Sequence, residues 1–507
     1  MREYIITVKD PAVWDTGLWN ELTVDGLGDN FIPKRPIEVL NERPFNDFSA
    51  HFNLTDEEAA EIRQDDRIAF VELQADLQEG VKKEHFGARA ISTYDKSNST
   101  TVTMKNWGLL RATRPTNPFA SSTSVSTAFT YNLDGTGVDI VVIDSGVEAN
   151  HPEFAVNADG TGGSRVVDFN WASLGVPGTP SSSSIGGYLG DGDGHGSNCA
   201  SIAAGNTCGW ASGAAIYSIR IFNGWDIKTG ATLGAINSDI CFDLVRAFHL
   251  AKRAAGNMRP TICTNSWGYR ADYYQMYSTR WRGTTYSGLF PSSSFGQVYN
   301  LHPYVVNYLD VSATNCANAG VILVGAAGNY RHKIDVPGGQ DYDNYYNSYY
   351  YGTQVYYQRG SSPTRADGFI NVGAIDNSTT EQKVYFSETG PRVDVYAPGT
   401  MIMGAYANDS YVTPAVPDPR NGQYYLNKIS GTSQATPQVT GLLATVLQAR
   451  PNMTPAEAKQ FIIDHSLKNV LVEGSNTSYS STTYLQGGNN RVLQHPFTSP
   501  NRGGITS

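Results

Sequence analysis

Between residues 107 and 468 the sequence alternates short apolar runs with segments of helical length. VDIVVID (138–144), AIYSIRIF (215–222), PTICTNSW (260–267), GVILVGAAG (320–328), INVGAI (370–375) and VDVYAP (393–398) are rich in Val and Ile. Helix-like stretches such as CFDLVRAFHLAKRAAG (241–256) and TPQVTGLLATVLQAR (436–450) are interspersed with them. Short strands alternating with helices argue for a mostly parallel sheet covered on both faces. The expected fold class is therefore α/β: a mostly parallel sheet with helices on both faces. No run approaches the roughly 18 apolar residues needed to span a bilayer.

Charge divides the chain further. The net charge is −10, which disfavours a nucleic-acid partner. Residues 1–78 hold 17 acidic and 7 basic residues, and the remainder holds 30 of each, so the whole net charge lies at the N-terminus. YIITV (4–8) and IAFVEL (68–73) read as strands. Thr55, followed by Asp56, Glu57 and Glu58, reads as the N-cap and acidic first turn of a helix. Residues 1–78 are thus expected to form a small α+β unit, and 79–105 a polar, protease-accessible linker with a processing site. Residues 106–468 form the α/β domain, and 469–507, rich in Ser, Thr, Asn and Gly, an extended tail. The five cysteines are scattered and read as buried thiols. Residues 269–310 and 341–360 each contain eight of the 30 tyrosines and interrupt the α/β pattern. The apolar run at the N-terminus is too short for a secretion signal, so the expectation is an intracellular or virion-associated protein that avoids membranes.

Three segments can carry chemistry. VVIDSGVEANHPEF ends an apolar run on Asp144, at the carboxyl end of a strand, where open parallel sheets bind ligands. DGDGHGSNCASIAAG places His195 between glycines before a run of small residues. ISGTSQATPQVTGLLA sets Ser433 at a helix start, near main-chain donors and the positive dipole end. Singly, these are an Asp opening a turn, a loop His and a Ser beside an N-cap. Jointly they supply a nucleophile, a base and an acid that orients the base.

With Asp144-Ser-Gly, His195-Gly-Ser and Gly431-Thr-Ser433-Gln-Ala-Thr-Pro437 in that order, the chain resembles the subtilases, subtilisin-like serine peptidases. NWGLLR (106–111), FSETG (386–390) and VDVYAPG (393–399) extend the likeness, and Cys199 resembles the thiol beside the His in proteinase K-like members. The resemblance implies a serine endopeptidase that works through an acyl-enzyme, with Asp144, His195 and Ser433 catalytic and Asn329 of VGAAGN in the oxyanion hole. It implies a peptide-binding cleft lined by Ser266, Trp267 and Gly268 of NSWG, by Ala326, Ala327 and Gly328, and by the edge around Gly234. It implies that residues 1–78 are a ferredoxin-like inhibitory pro-region, so that polypeptide substrates and the chain's own pro-region are the partners. No cofactor is required. A structural calcium is compatible with the family, but no metal site is identified, and Asp191 and Asp193 read as a solvated loop. Departures from the family pattern are Gln434, Gln438, Asn198 and Trp267, which bear on subsite preference. The tyrosine-dense stretches are candidates for shaping the cleft or docking a protein partner. The alternative is a structural or binding protein on a subtilase fold, such as a virion component. An intact triad weighs against it. A nucleotide-binding protein is disfavoured, because neither a GxGxxG nor a Walker pattern follows a strand.

Overall fold

Strand Asp139–Asp144 is buried along its whole length, and its side chains divide between two cores. Ile140 and Val142 join one core, Val141 and Ile143 the other, and Ile262 and Cys263 of strand Thr261–Asn265 split in the same way. The first core is closed by helices His195–Ala204, Thr432–Ala449 and Pro455–His465, the second by Cys241–Ala254 and Asn307–Asn318. Consecutive apolar residues are thus the signature of a sheet covered on both faces. The structure, a computed structural model, describes residues 1–24, 35–42, 47–78, the backbone of 81–85, 96, 106–125, 129, 133–226, 228–287, 301–352, 354–406, 415–474 and 483–496.

Among the described residues the main sheet has nine strands, in the order Leu467–Lys468, Arg491–Val492, Val395–Pro398, Phe369–Ile375, Ile322–Ala326, Thr261–Asn265, Asp139–Asp144, Ala215–Arg220, Val166–Val167. All neighbours are parallel except the first pair. Arg491–Val492 lies within the stretch expected to be an extended tail. Its polar composition hides a single register contact, Val492 opposite Tyr396, that adds it to the sheet.

Residues 2–73 form a four-stranded antiparallel sheet in the order Glu38–Asn41, Ser49–Leu54, Arg2–Val8, Ile68–Leu73. Helix Trp19–Thr23 precedes the second strand in sequence and helix Asp56–Ile62 the fourth, which is the β-α-β-β-α-β connectivity of ferredoxin-like units. The second helix begins in a capping box. Thr55 Oγ1 accepts from Glu58 N at 3.2 Å, and Thr55 N donates to Glu58 Oε2 at 2.8 Å.

The stretch read as a linker is not free of structure. Val81–His85 forms a strand antiparallel to Trp267–Asp272, with His85 opposite Trp267 and Glu84 opposite Gly268. Lys96 is buried, its Nζ 4.1 Å from the centre of the Trp107 ring. A paired edge strand needs no apolar alternation when its ladder is made by the main chain, so its polar sequence concealed it. The two tyrosine-dense stretches pack on each other. Met276–Trp281 and Tyr345–Ser348 pair antiparallel in a separate four-stranded sheet, over a cluster of Tyr273, Tyr346 and Tyr357.

Arg220 ends the strand beside Asp144 and is fully buried. Its guanidinium donates to the carbonyls of Ile185, Gly187, Leu189, Gly190 and Gly234. These bonds gather the 3-10 turn Ser182–Ile185 and the short strand Gly190–Asp191 ahead of His195 onto one side chain. Arg220→Met should cost about 3 kcal/mol or more, because several buried carbonyls lose their donors together. A denaturation midpoint within error of the parent would contradict this.

Candidate active site

Asp144 occupies the last position of its strand, and the chain then turns through Ser145 and Gly146. Gly146 sits at φ +112, and a Cβ there would lie 2.1 Å from the Gly190 carbonyl oxygen. Gly196, next to His195, would place a Cβ 2.1 Å from the Gly146 carbonyl oxygen. Two bare backbones therefore touch, which brings the Asp144 turn against the start of helix His195–Ala204. Asp144 Oδ1 lies 2.8 Å from His195 Nδ1 and accepts from Ser145 N at 2.7 Å. With Nδ1–H committed to the carboxylate, Nε2 is left as the acceptor.

Helix Thr432–Ala449 brings in Ser433 from the far end of the chain. It contains Pro437, which has no main-chain donor for the carbonyl four residues back. That carbonyl belongs to Ser433. Ser266 Oγ donates to it at 2.9 Å and Cys199 Sγ at 3.5 Å. Cys199 Sγ also lies 3.9 Å from His195 Nδ1 and 4.0 Å from Nε2, so one thiol touches both the imidazole and the serine's backbone. Ser433 Oγ donates to the Ser266 carbonyl at 3.2 Å. Burial pushes the Cys199 thiol well above its ordinary value.

His195 is almost fully buried. Burial alone would lower its pKa, but the charge and hydrogen bond of Asp144, with Asp193 and Asp191 behind, raise it above the ordinary value. Asp191 is not in a solvated loop, as its sequence suggests, but buried. Its Oδ1 accepts from Ser145 Oγ at 2.7 Å and Gly194 N at 2.8 Å, and its Oδ2 from Ser197 N at 2.8 Å. It ties the Asp144 turn to the first turn of the His195 helix. Burial, then the charge of Asp193, raises its pKa.

Asn329 follows strand Ile322–Ala326. Its Oδ1 accepts from Thr432 N at 2.9 Å and Thr432 Oγ1 at 3.0 Å. Its Nδ2 is buried and has no hydrogen-bond partner among the described residues. Gly328 N donates to the same Thr432 hydroxyl at 3.2 Å. Ser266 and Gly328 are thus joined to the Ser433 helix.

Two expected cleft residues are placed otherwise. Trp267 is wholly buried and its ring stacks on Phe242, centroids 6.4 Å apart, so only its backbone can face a peptide. Gly234 N donates to the Ile185 carbonyl at 3.0 Å, leaving no main-chain donor there for a substrate strand. Two departures from the family pattern meet each other: Gln434 Nε2 donates to Asn198 Oδ1 at 3.3 Å. A third, Gln438, accepts from Trp210 Nε1 at 2.7 Å and donates to Asn106 Oδ1 at 2.8 Å, tying the Ser433 helix to the cap of helix Trp107–Ala112.

Among the described residues, two clusters combine histidine with potential metal ligands. One is Asp144, His195 and Cys199. The other is Glu3, His51 and Asp239, where the N-terminal sheet meets the α/β domain and His51 Nδ1 lies 2.6 Å from Glu3 Oε1.

Residues 135–491 match the model of the Subtilase family, Peptidase_S8. The chain is 26% identical to an extracellular serine proteinase of Thermus sp. (strain Rt41A), over 82% of this chain and 70% of that protein. It is 27% identical to proteinase R of Parengyodontium album, over 75% and 68% of the two chains. Fervidolysin from Fervidobacterium pennivorans, a keratinolytic enzyme related to subtilisin, superposes with a TM-score of 0.56 at 16% identity, over 97% of this chain and 60% of its own, and supports the fold alone. Sheet order, the meeting of Asp144 with His195 and the family match agree: this chain belongs to the subtilase family and is a subtilisin-like serine endopeptidase.

Proposed function

We propose that Ser433 is the nucleophile of an acyl-transfer hydrolysis. His195 Nε2 takes the Ser433 proton as the hydroxyl attacks the scissile carbonyl, and returns it to the leaving amine. Asp144 holds the ring in the tautomer that leaves Nε2 basic and stabilises the imidazolium. The observation that carries this reading is the 2.8 Å bond from Asp144 to His195, with Cys199 in contact with both His195 and Ser433. Asn329 Nδ2 and the Ser433 N–H receive the developing oxyanion. In support, the Asn329 amide is held by its oxygen, leaving its buried N–H₂ for a ligand. A peptide runs as an extended strand along Ser266–Gly268 and faces Ala326–Gly328, so main-chain bonds give breadth and pockets give choice.

The chain is made as a self-inhibited precursor. Strand Val81–His85 lies on the edge offered by Trp267–Asp272, the side expected to bind substrate. The N-terminal unit is fastened nearby. The Glu72 carboxylate accepts from Asn307 N at 3.2 Å and Tyr308 N at 3.0 Å, capping helix Asn307–Asn318. Tyr304 Oη donates to Gln78 Oε1 at 2.8 Å, and Ala75 N to Tyr308 Oη at 3.2 Å. Activation requires cutting between residues 86 and 105.

Ser433→Ala should abolish peptide hydrolysis and labelling by a fluorophosphonate, leaving residual catalysis about 10³–10⁴-fold over water. Unchanged turnover would sink the assignment. Asn329→Ala should lower kcat about 10²–10³-fold with little change in KM, since its bond matures only in the transition state. An effect confined to KM would contradict the role. In the full-length chain, activity should appear together with a new N-terminus beyond His85, read by mass spectrometry, and Glu72→Ala should hasten it. A stable product that begins at Met1 and hydrolyses peptides freely would refute self-inhibition.

A further inference from the structure

Glu388 lies in the segment Phe386–Gly390 and takes no part in the reaction outlined above. It is 1% exposed, and its Oε2 is buried without a hydrogen-bond partner among the described residues. Its backbone N–H donates to the Gly328 carbonyl at 2.9 Å. Its carboxyl packs so closely on Gly328 that a Cβ there would lie 2.8 Å from Glu388 Oε1. Gly328 has φ +121, so the position is reserved for glycine on conformational grounds as well. Strand Trp267–Asp272 leads into Tyr273, whose hydroxyl is also buried with no partner among the described residues. Tyr273 is within electrostatic reach of Glu388.

A buried carboxyl oxygen without a donor among the described residues is costly and calls for a reason. The cation that acts on it, Lys383, directs its Nζ at the carbonyls of Val384 (3.0 Å) and Ser387 (3.1 Å). Burial raises Glu388 well above the ordinary carboxylate range, and the charge of Lys383 opposes that shift. A donor from outside the chain would satisfy the group, which lies against Gly328, the end of one of the two segments, Ser266–Gly268 and Ala326–Gly328, proposed to face the peptide.

We infer that Glu388 forms the floor of the first specificity pocket and selects peptides with Lys or Arg immediately before the scissile bond. This rests on the proposed role of those two segments as the pocket walls. An entering ammonium or guanidinium donates to the carboxylate, and the two meet as an ion pair. An apolar side chain would instead cover a carboxyl with no donor, a penalty that separates substrates more sharply than size does.

The test uses the active protein and peptides that differ only in Lys or Leu before the scissile bond. The parent should favour Lys in kcat/KM, and Glu388→Gln should reduce the Lys-to-Leu ratio about 10²-fold. Glu388→Asp should restore part of the preference. Should Glu388→Gln fail to fold, Tyr273→Phe is read on the same pair, with a smaller shift expected in the same direction. A parent that favours Leu, with a ratio indifferent to both substitutions, would overturn the inference and leave Glu388 as a packing partner of Lys383. A parent that cleaves neither peptide and takes no fluorophosphonate label would overturn the proteolytic reading, and this one with it.

Discussion

Pro437 has no N–H, and that single missing donor organises the centre of the molecule. A proline this far into helix Thr432–Ala449 deprives the Ser433 carbonyl of its helical partner, which elsewhere would kink the helix. Here Ser266 and Cys199 satisfy the carbonyl from two different elements. The helix is buried through almost its whole length, from Thr432 to Leu447, so an unmet carbonyl inside it would be expensive. Meeting that requirement pulls the strand carrying Asn265 and the helix carrying His195 onto the same turn. The convergence of the segments carrying Ser266, His195 and Ser433 is thus a hydrogen-bonding necessity as much as an outcome of sheet topology.

A second tier of contacts holds the aspartate and histidine ends together. Asp191, Ser145, Gly146 and Gly196 form a compact joint in which a carboxylate binds main-chain donors and two glycines permit backbone contact. Arg220 stabilises the approach to that joint by saturating loop carbonyls. Departures from the family pattern are hydrogen-bonded where they are buried: Gln434 meets Asn198, itself a departure, and Gln438 meets Asn106 and Trp210.

The central sheet was legible because strands buried on both faces must be continuously apolar, and Asp144, His195 and Ser433 because each sits in a short motif with its own local geometry. Other features depend on contacts that no local pattern encodes. Asp191 reads as one acid in a Gly-rich loop, and only folding shows that four donors enclose it. Trp267 is adjacent in sequence to cleft residues, yet the alternation of a strand turns its ring inward to Phe242. Gly234 offers a backbone donor in the sequence, but Ile185 has already taken it. Val81–His85 and Arg491–Val492 are polar enough to pass for connecting chain, because their partners hold them through the main chain. The ferredoxin-like order of the N-terminal strands emerges from pairings across 50 or more residues, such as Arg2 with Leu54.

Strand Val81–His85 is joined covalently to the domain on which it lies, so its occupancy of the Trp267–Asp272 edge does not depend on protein concentration. Covalent attachment through a short linker presents a segment at an effective concentration on the order of millimolar. Under the self-inhibition proposed above, a peptide seeking the same edge competes with that local excess, and even a weakly held strand would exclude dilute substrate. Cutting the chain between the strand and Trp107 changes no contact on the edge. It converts the competition from intramolecular to intermolecular, and dilution then does what affinity alone could not.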